Sequence, residues 1–422
     1  MKLIFVNRYF HPDHSATSQM LSGPAFALAE AGYAVHVITS QQRYDAPGDR
    51  LPARERVAGV DVRRVWTSRF GRARLLGRAC DYLSFYLTAT LAIWRLAGAG
   101  DVIVAKTDPP MLSVIVAPVA RLRGAVLINW LQDIFPEVAE AVGIGRGRLG
   151  TLALAALRRL RDQSLKCATM NITLGERMAE RLVALGVARA RISVIPNWAD
   201  GTLVTARAHP TNVFRSGLAG PDDFVVAYSG NLGRAHEIEA MLGAIAVTEE
   251  RTMSPAVAGP DDATRCPRIV WLFVGGGNQM QALQARAEKG GLRSVVFRPY
   301  QPKEALADSL SAADVHLVSL RPELEGLIVP SKIYGIMAAG RATIFIGDAD
   351  GEVARLLVRA DCGVTVAAGD GRTLADAVAA LASDGVRTRA LGDNARRAFE
   401  QAYDKPLVIE RWTRLIQSLQ VT

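Results

Sequence analysis

The chain has 422 residues, of which 50% are hydrophobic and 22% are charged, so it can bury large cores and is not a disordered protein. This length is too great for a single core and predicts two domains. The net charge of +9 favours an anionic partner, such as a phosphorylated substrate or an acidic membrane surface. Nucleic acid is disfavoured, because only 6% of the residues are aromatic and no run of Lys and Arg alternates with them.

The cysteines and the apolar segments indicate where the protein works. Cys80, Cys167, Cys266 and Cys362 form no Cys-x-x-Cys pair and have no His at metal-ligand spacing, which favours a reducing compartment without disulfides or zinc. The apolar run at the N-terminus is too short for a signal peptide. The longest apolar helical segment, residues 82–94, has 13 residues, whereas a membrane-spanning helix needs roughly 20. We therefore expect a cytoplasmic protein that does not cross the membrane.

In the first half of the chain, short apolar runs alternate with helical patterns, which predicts a parallel sheet covered by helices on both faces. A helix is expected at residues 19–30, closed by Gly32. The predicted strands are residues 3–6, 34–39, 60–65, 102–105, 126–130 and 170–173. The polar, irregular segment 199–221 is interpreted as a linker.

The same alternation restarts in the second half, with strands expected at residues 224–229, 269–274, 295–298, 315–320 and 342–347. Residues 248–266, rich in Pro, Asp and Ala, are interpreted as a surface insertion. The fold class predicted is α/β, with two doubly wound Rossmann-like domains that bind ligands at the carboxyl ends of their strands. We place the domains at residues 1–200 and 201–395, with a helix at 396–422 that closes the molecule and could cross to the first domain.

The stretch 325–340 carries the clearest chemistry in the sequence. It lies between two predicted strands and brings Glu325, a glycine, a proline and Lys332 to the start of a helix. Free backbone N–H groups and the positive end of the helix dipole favour an anion there. A lysine suits a diphosphate as a point charge, and the acid could meet sugar hydroxyls. This combination predicts a nucleotide-sugar site.

Six phrases in this order resemble the GT-B glycosyltransferases, and specifically the retaining glycosyltransferase family 4. They are YFHP with SATS (9–12 and 15–18), QDIFPE (132–137), PNW (196–198), YSGNLGR (228–234), FVGGG (273–277) and EGLIVPSKIYGIMAAG (325–340). The chain looks most like the bacterial branch that builds O-antigen and colanic-acid-type polysaccharide on a lipid carrier, often with fucosyl or N-acetylfucosaminyl donors. The resemblance implies a GT-B fold with a cleft between its two domains.

Two features depart from the family pattern. Many members carry a Glu-x7-Glu pair whose second Glu holds the nucleotide ribose, but Gly335 stands at that second position and Glu325 is ten residues upstream of it. The usual Arg and Lys after the glycine-rich start of the second domain are replaced by Asn231 and His236. The resemblance therefore implies that Arg234 and Lys332 supply the phosphate contacts.

The resemblance and the loop positions assign donor contacts to a first-domain loop, to the strand ends of the second domain and to the 325–340 stretch. The donor-binding residues predicted are Ser15, Ala16, Thr17, Gly230, Asn231, Arg234, Gly275, Gly276, Arg298, Tyr300, Gly326, Leu327, Ile328, Val329 and Lys332. Simpler interpretations stay open for several of them. The glycines could serve turns only, residues 15–17 could be plain helix caps, and the two cations could be solvated at the surface.

The acceptor side is expected after the predicted strand 126–130. Asp133 and Glu137 flank a Phe-Pro turn there, and either could orient or deprotonate the acceptor hydroxyl, although Asp133 could equally cap the next helix. His14 is added as a phosphate contact on the acceptor side. The catalytic set predicted is Asp133, Glu325 and Lys332. In this family the acceptor is thought to attack from the face that the diphosphate leaves, so a strong enzymic base is not required.

A membrane surface is predicted for residues 63–94. The stretch 63–78 contains six arginines and no acid, and the apolar, aromatic segment 82–94 follows it, which is typical of peripheral membrane contact. The alternative is an ordinary core helix with a solvated basic loop. The family's acceptors are polyprenyl-diphosphate lipids, so we expect a protein at the inner face of the cytoplasmic membrane with a lipid-linked saccharide and an anionic membrane surface as partners.

No metal and no cofactor are predicted. The Gly-x-Gly-x-x-Gly pattern at 145–150 follows no strand, and Asp348 with Asp350 imitates a metal-binding Asp-x-Asp but leads into a helix. The predicted activity is transfer of a hexose from a nucleoside-diphosphate sugar in bacterial surface polysaccharide synthesis. Two alternatives share the fold: a nucleotide-sugar 2-epimerase, and a catalytically degenerate assembly partner at the membrane.

Overall fold

The computed structural model of the protein describes residues 1–44, 46, 48–71, 75–145, 147–253 and 267–419. The chain divides into two compact units. Unit 1 comprises Met1–Pro196, Gly326–Ile328 and the segment that begins at Ile409, and unit 2 comprises Asn197–Glu325 and Val329–Val408.

Unit 1 is built on a sheet whose described strands are β1 Lys2–Val6, β2 Ala34–Ser40, β3 Arg54–Val57, β4 Val60–Val65, β5 Val102–Lys106, β6 Val126–Trp130, β7 Met170–Thr173 and β8 Ile192–Val194. Their order is β3-β4-β2-β1-β5-β6-β7-β8, and β3 runs antiparallel to β4 while the other pairs are parallel. The helices are α1 Ala16–Glu30, α2 Leu75–Leu96, α3 Leu112–Arg123, α4 Glu137–Ala141, α5 Arg148–Cys167 and α6 Glu176–Ala184.

The central strands of unit 1 are mostly apolar because helices cover both faces of a parallel sheet. Every residue of β5 is buried, and so are the last four residues of β1. On one face of this sheet, a core forms between the strands and α2 and α3, and Phe85 and Val116 are fully buried in it. The rigid sheet fixes the position of the loops that leave its carboxyl edge.

Unit 2 contains an all-parallel sheet in the order β11-β10-β9-β12-β13-β14. Its described strands are β9 Phe224–Asn231, β10 Ile269–Gly276, β11 Val295–Arg298, β12 Val315–Ser319, β13 Ala342–Ile346 and β14 Gly363–Val366. The α-helices described after Pro196 are α7 Val213–Ser216, α8 Glu239–Met253, α9 Asn278–Lys289, α10 Leu306–Ser311, α11 Lys332–Ala338, α12 Glu352–Ala360, α13 Gly371–Ser383, α14 Gly385–Ala402 and α15 Lys405–Ser418. From Ile409 onward, α15 belongs to unit 1.

The segment predicted as a linker, residues 199–221, is folded instead. It contains α7, and the buried guanidinium of Arg215 donates to the Ala312 carbonyl at 2.7 Å and pairs with Asp314 at 2.9 Å. The prediction failed because the sequence does not distinguish a buried, hydrogen-bonded arginine from a solvated one.

Two other predictions on element boundaries need correction. Residues 248–253 of the predicted insertion are the last turns of α8, and residues 254–266 lie outside the described part of the chain. The end of the chain was predicted as one helix, but α14 ends at Ala402 and α15 begins at Lys405. In unit 1, Trp412 of α15 is fully buried, with its ring centroid 4.4 Å from that of Trp130.

Candidate active site

In unit 2, the carboxyl ends of β9 and β10 meet at two glycines. Gly230 and Gly275 are register partners with φ of +117° and +129°, a region that only glycine adopts without strain. A Cβ built on Gly275 would lie 2.3 Å from the Gly230 carbonyl oxygen, so a side chain would not fit. These glycines are therefore required by the backbone itself, and they leave it uncovered at the edge where parallel sheets bind ligands.

Lys332, the first residue of α11, lies beside this glycine edge. Its ammonium nitrogen is 3.7 Å from the centroid of the Tyr228 ring and donates to the Tyr228 hydroxyl. A Cβ built on Gly230 would be 3.8 Å from the same nitrogen. Burial lowers the pKa of Lys332 to about 7, and no carboxylate offsets that effect. A half-buried cation held by an aromatic face, and paired with no acid among the residues that the structure describes, is suited to an anion such as a diphosphate.

His236 holds the loop that follows β9 and is not a cation. Its Nδ1 is 2.6 Å from the Ser319 carbonyl oxygen, and its ring packs edge-on against Tyr228 with centroids 5.8 Å apart. Burial, followed by the charge of Lys332, lowers the pKa of His236 to about 3, so the imidazole is neutral at physiological pH. His236 therefore positions the tyrosine and does not contribute charge.

Glu325 contacts the start of a helix in unit 2. Its Oε1 accepts the backbone N–H of Glu352 at 2.9 Å, and a Cβ built on Gly351 would lie 2.5 Å from its Oε2. The carboxylate thus caps α12, where it also meets the positive end of the helix dipole. The structure thus places one oxygen of this acid on the Glu352 backbone N–H, and its contact with sugar hydroxyls stays a prediction.

In unit 1, Asp133 follows β6 and lines a small cavity together with Thr107 and Arg161. Its Oδ1 is buried and accepts no hydrogen bond from the described residues. Burial raises the pKa of Asp133 to about 6, with the charge of Asp108 adding to the rise and the Thr107 hydrogen bond opposing it. A buried carboxylate with one oxygen available can accept a proton or a hydrogen bond from a hydroxyl.

Part of the predicted donor loop lies next to this acid within unit 1. Asp133 forms a backbone bridge with Ile328, and Ile134 donates its N–H to the Leu327 carbonyl at 2.9 Å. Gly326 is buried with φ of +73°, and a Cβ there would lie 3.2 Å from the Arg177 carbonyl oxygen. The structure therefore brings Leu327 and Ile328 together with Asp133, whereas Val329 belongs to unit 2.

The start of α1 is held by caps and by a neighbouring loop. Ser15 Oγ accepts the Ser18 N–H at 3.4 Å, as the plain cap interpretation expects, and His14 and Ala16 are exposed. Thr17 donates its hydroxyl to Asp108 at 3.1 Å. The side chains of Ser15 and Thr17 thus fix the loop that was predicted to face the donor.

Glu137, predicted as an acceptor contact, is paired. Its carboxylate receives a bidentate interaction from Arg161 at 2.6 and 3.0 Å, and the Arg161 side chain is 5% exposed. Arg161 also donates to the Phe135 carbonyl at 2.9 Å. This pair fixes the Phe-Pro turn that carries Asp133, so Glu137 has a structural explanation that does not need a ligand.

Comparison with known proteins finds one family model in each half of the chain. Residues 21–198 match the family described as "Glycosyl transferase 4-like domain", and residues 225–384 match "Glycosyl transferases group 1". The chain is a glycosyltransferase. Its two units, each with a parallel sheet, correspond to the two domains of the GT-B fold.

Two relatives of the transferase carry names of the same class. A putative colanic acid biosynthesis glycosyl transferase, WcaI of Escherichia coli K12, is 26% identical over 240 residues, which is 56% of this chain and 55% of WcaI. The match therefore spans about half the length of that relative. A probable glycosyltransferase, WbjE of Pseudomonas aeruginosa, is 24% identical over 355 residues and 83% of each chain.

Solved structures share the fold of the transferase at low identity. Sucrose-phosphate synthase from Thermosynechococcus elongatus superposes with a TM-score of 0.75 and 18% identity over the whole of both chains. Anabaena HepE, crystallised with UDP-glucose, gives a TM-score of 0.69 and 15% identity over 99% of this chain and 100% of its own. At such identities the likeness describes the fold alone.

The remaining predicted donor residues of the transferase are at the surface of unit 2. Asn231, Arg234, Arg298 and Tyr300 are exposed. A Cβ built on Gly276 would lie 3.1 Å from the Tyr300 ring, so the end of β10 passes close to that aromatic side chain. Arg234 and Arg298 are therefore available cations, but their positions alone assign them no role.

The sequence missed two residues of these sites. Tyr228 is buried in β9 and was noted only as part of a motif, yet it holds the lysine. Lys106, at the end of β5, is 1% exposed, donates to the Thr17 carbonyl at 3.1 Å and lies 4.0 Å from the Trp130 ring centroid. A continuous apolar run that ends in a lysine was the available sequence signal for Lys106.

Proposed function

We propose that this glycosyltransferase moves a hexose from a nucleoside-diphosphate sugar to a lipid-linked saccharide, with retention of the anomeric configuration. In this proposal residues 201–395 bind the donor and residues 1–200 bind the acceptor. The observation that carries it is the Lys332 ammonium, half-buried beside the glycine edge of unit 2 without a neutralising acid.

The chemistry follows from where negative charge develops. As the bond between the anomeric carbon and the donor diphosphate breaks, the charge collects on the leaving diphosphate, and Lys332 stabilises it together with backbone N–H groups. The acceptor oxygen forms the new bond on the same face, and its proton passes to the leaving diphosphate. Asp133 orients the acceptor hydroxyl through its free carboxylate oxygen and is not required as a strong base.

The names of the relatives support the biological setting. WcaI is named for colanic acid biosynthesis, and HepE was crystallised with UDP-glucose. We propose that this chain acts in bacterial surface polysaccharide synthesis, such as O-antigen assembly, at the inner face of the cytoplasmic membrane. Fucose-type donors are the first candidates, the acceptor is a polyprenyl-diphosphate saccharide, and the reaction needs no metal.

The test is release of nucleoside diphosphate by the purified protein, measured with and without lipid-linked saccharides extracted from a polysaccharide-producing bacterium. A transferase releases the diphosphate only when the acceptor is present, and it does so in EDTA. Steady release without acceptor would indicate an epimerase or a hydrolase. No release from any UDP or GDP sugar would favour a degenerate assembly partner.

A further inference from the structure

Helix α2 is apolar on two opposite faces. Its inner face, with Phe85, Ala89 and Ile93, is buried in the core of unit 1. Its outward stripe is exposed by 43–82% and consists of Leu76, Leu83, Leu87, Leu91 and Trp94. A helix that only covers a core carries polar residues on its outer face, so the outward stripe of α2 needs a second apolar partner.

Neighbouring side chains extend this stripe into a surface. Trp66 and Phe70, in the segment that leads to α2, are 56% and 69% exposed. Beside them, α2 and Ile115 of α3 form an open groove of about 540 Å³, lined on the α2 side by Leu83, Tyr86, Leu87, Thr90, Leu91 and Trp94. That volume is within the range of pockets that hold a ligand, and the lining favours a hydrocarbon chain. The outward stripe of α2, Trp66 and Phe70 are called the α2 surface below.

The segments that carry the α2 surface expose arginines and no acid. Arg69 and Arg95, next in the chain to Phe70 and Trp94, are exposed. The only acid between residues 63 and 95 is Asp81, which is 2% exposed, pairs with Arg8 and accepts the N–H groups of Phe70 and Gly71. Exposed arginines, with no exposed acid between residues 63 and 95, complement an anionic surface, whereas a second copy of this chain would bring like charges together.

Part of the basic stretch expected from the sequence does not belong to this group of arginines. Arg72 and Arg74 lie outside the described residues, and Arg64 is buried with an ion pair to Glu55. The apolar side chains, and not the arginine count, are thus the main feature of the α2 surface. None of the helices in the described part of the chain is long and apolar enough to cross a bilayer, so contact through this surface would be from one side.

We propose that the α2 surface seats in an anionic lipid bilayer, with its leucines and Trp94 among the acyl chains and its arginines at the head groups. Amphipathic helices with basic rims bind in this way. The proposal takes its purpose from the lipid-linked acceptor of the proposed function, because the polyprenyl chain stays in the same bilayer. The surface itself is inferred from exposure and charge alone.

The test is cosedimentation with phosphatidylcholine vesicles that contain about 30% phosphatidylglycerol, compared for the full chain and for Leu87→Ser/Leu91→Ser. Both leucines are exposed, so the double variant keeps its core. We expect the vesicle partition coefficient to fall at least tenfold. The matched control is Val358→Ser/Val386→Ser, which changes side chains of 80% and 73% exposure in unit 2 and should change the coefficient less than twofold.

A second measurement reports insertion. Brominated acyl chains should quench tryptophan fluorescence of the vesicle-bound protein, and Trp94→Phe should reduce that quenching. Equal binding by the leucine variant, binding without quenching, or a dimer that the leucine variant dissociates would each overturn the proposal. Stabilisation by nucleotide, measured in the same samples, tests the donor site separately from the α2 surface. Its absence counts against the donor site only, and the vesicle binding alone decides whether the α2 surface binds a bilayer.

Discussion

The half-buried Lys332 makes donor binding depend on pH in a defined direction. Burial holds the pKa of Lys332 at about 7 in the protein without ligand, and a diphosphate beside the ammonium should raise it again. A nucleotide sugar is a diphosphate diester with no proton to lose near neutrality, so the lysine is the group that titrates. If only the protonated lysine binds well, affinity falls about 16-fold between pH 7 and 8.5, as the charged fraction drops from about one half to about 3%.

The assay is calorimetric titration with the nucleotide sugar that binds, at pH 7, 7.75 and 8.5, in two buffers with different heats of ionisation. We expect binding to take up about half a proton at pH 7 and nearly one at pH 8.5. Lys332→Arg keeps the charge and should give a flat pH profile, and Lys332→Met should bind weakly at every pH. An affinity of the wild-type protein that is constant from pH 7 to 8.5 would refute the reasoning.

The same lysine should affect folding stability with the opposite pH trend. Its folded pKa of about 7 is below the unfolded value of 10.5, so between these pH values the unfolded chain binds more protons. The free energy of unfolding should therefore rise with pH across this window in the protein without ligand. Urea unfolding of the wild type and of Lys332→Met at pH 7 and 9 measures this change in the free energy of unfolding. An equal rise in the variant would assign the effect to other groups.

Four other substitutions test the site assignments. Asp133→Asn should lower kcat roughly 10- to 100-fold, because an amide replaces the charged hydrogen-bond acceptor of the hydroxyl. Wild-type activity should fall as the pH drops through about 6, where the Asp133 carboxyl protonates. An unchanged kcat would remove Asp133 from the acceptor site. Glu137→Leu should lower the free energy of unfolding by about 2–3 kcal/mol, because it leaves a buried arginine without its bidentate partner, and urea unfolding would contradict the pairing if the loss were negligible. Glu325→Ala should lower the free energy of unfolding by about 1 kcal/mol because a helix cap is lost, and Glu325→Gln should lower it by about half of that or less. Loss of activity in the Gln variant at full stability would support the predicted sugar contact. Trp412→Ala should lower the free energy of unfolding, measured in urea, by about 3–5 kcal/mol because Trp412 is buried in unit 1. A negligible loss would contradict its tight packing.

Strands buried on both faces could be predicted from the sequence because they are nearly continuous apolar runs. β3, Arg54–Val57, was not predicted because it is an edge strand in which three of the four residues are charged. β14, Gly363–Val366, escaped because it is short and begins with glycine. The parallel pairing of β14 with β13 depends on contacts distant in the chain, which a local pattern does not contain.

The site was predictable in its motifs and less so in its side-chain roles. A Pro-Ser-Lys turn before a helix identified Lys332 as a donor candidate, but its partner Tyr228 is 104 residues away in the chain. Glu325 and Glu137 are acids in loops, and sequence does not distinguish an acid that binds sugar from one that caps a helix or pairs with an arginine. Their partners come from other elements, so the fold had to be known first.

The most direct test of a donor site in unit 2 is thermal unfolding of the purified chain with UDP, GDP, ADP or CMP, each in EDTA. A ligand at about 100 times its dissociation constant adds roughly 2.7 kcal/mol, enough to raise the midpoint by a few degrees. We predict that one nucleoside diphosphate stabilises the wild-type protein without metal and that Lys332→Met loses most of this shift. No shift with any of the four, or an equal shift in the variant, would contradict the account.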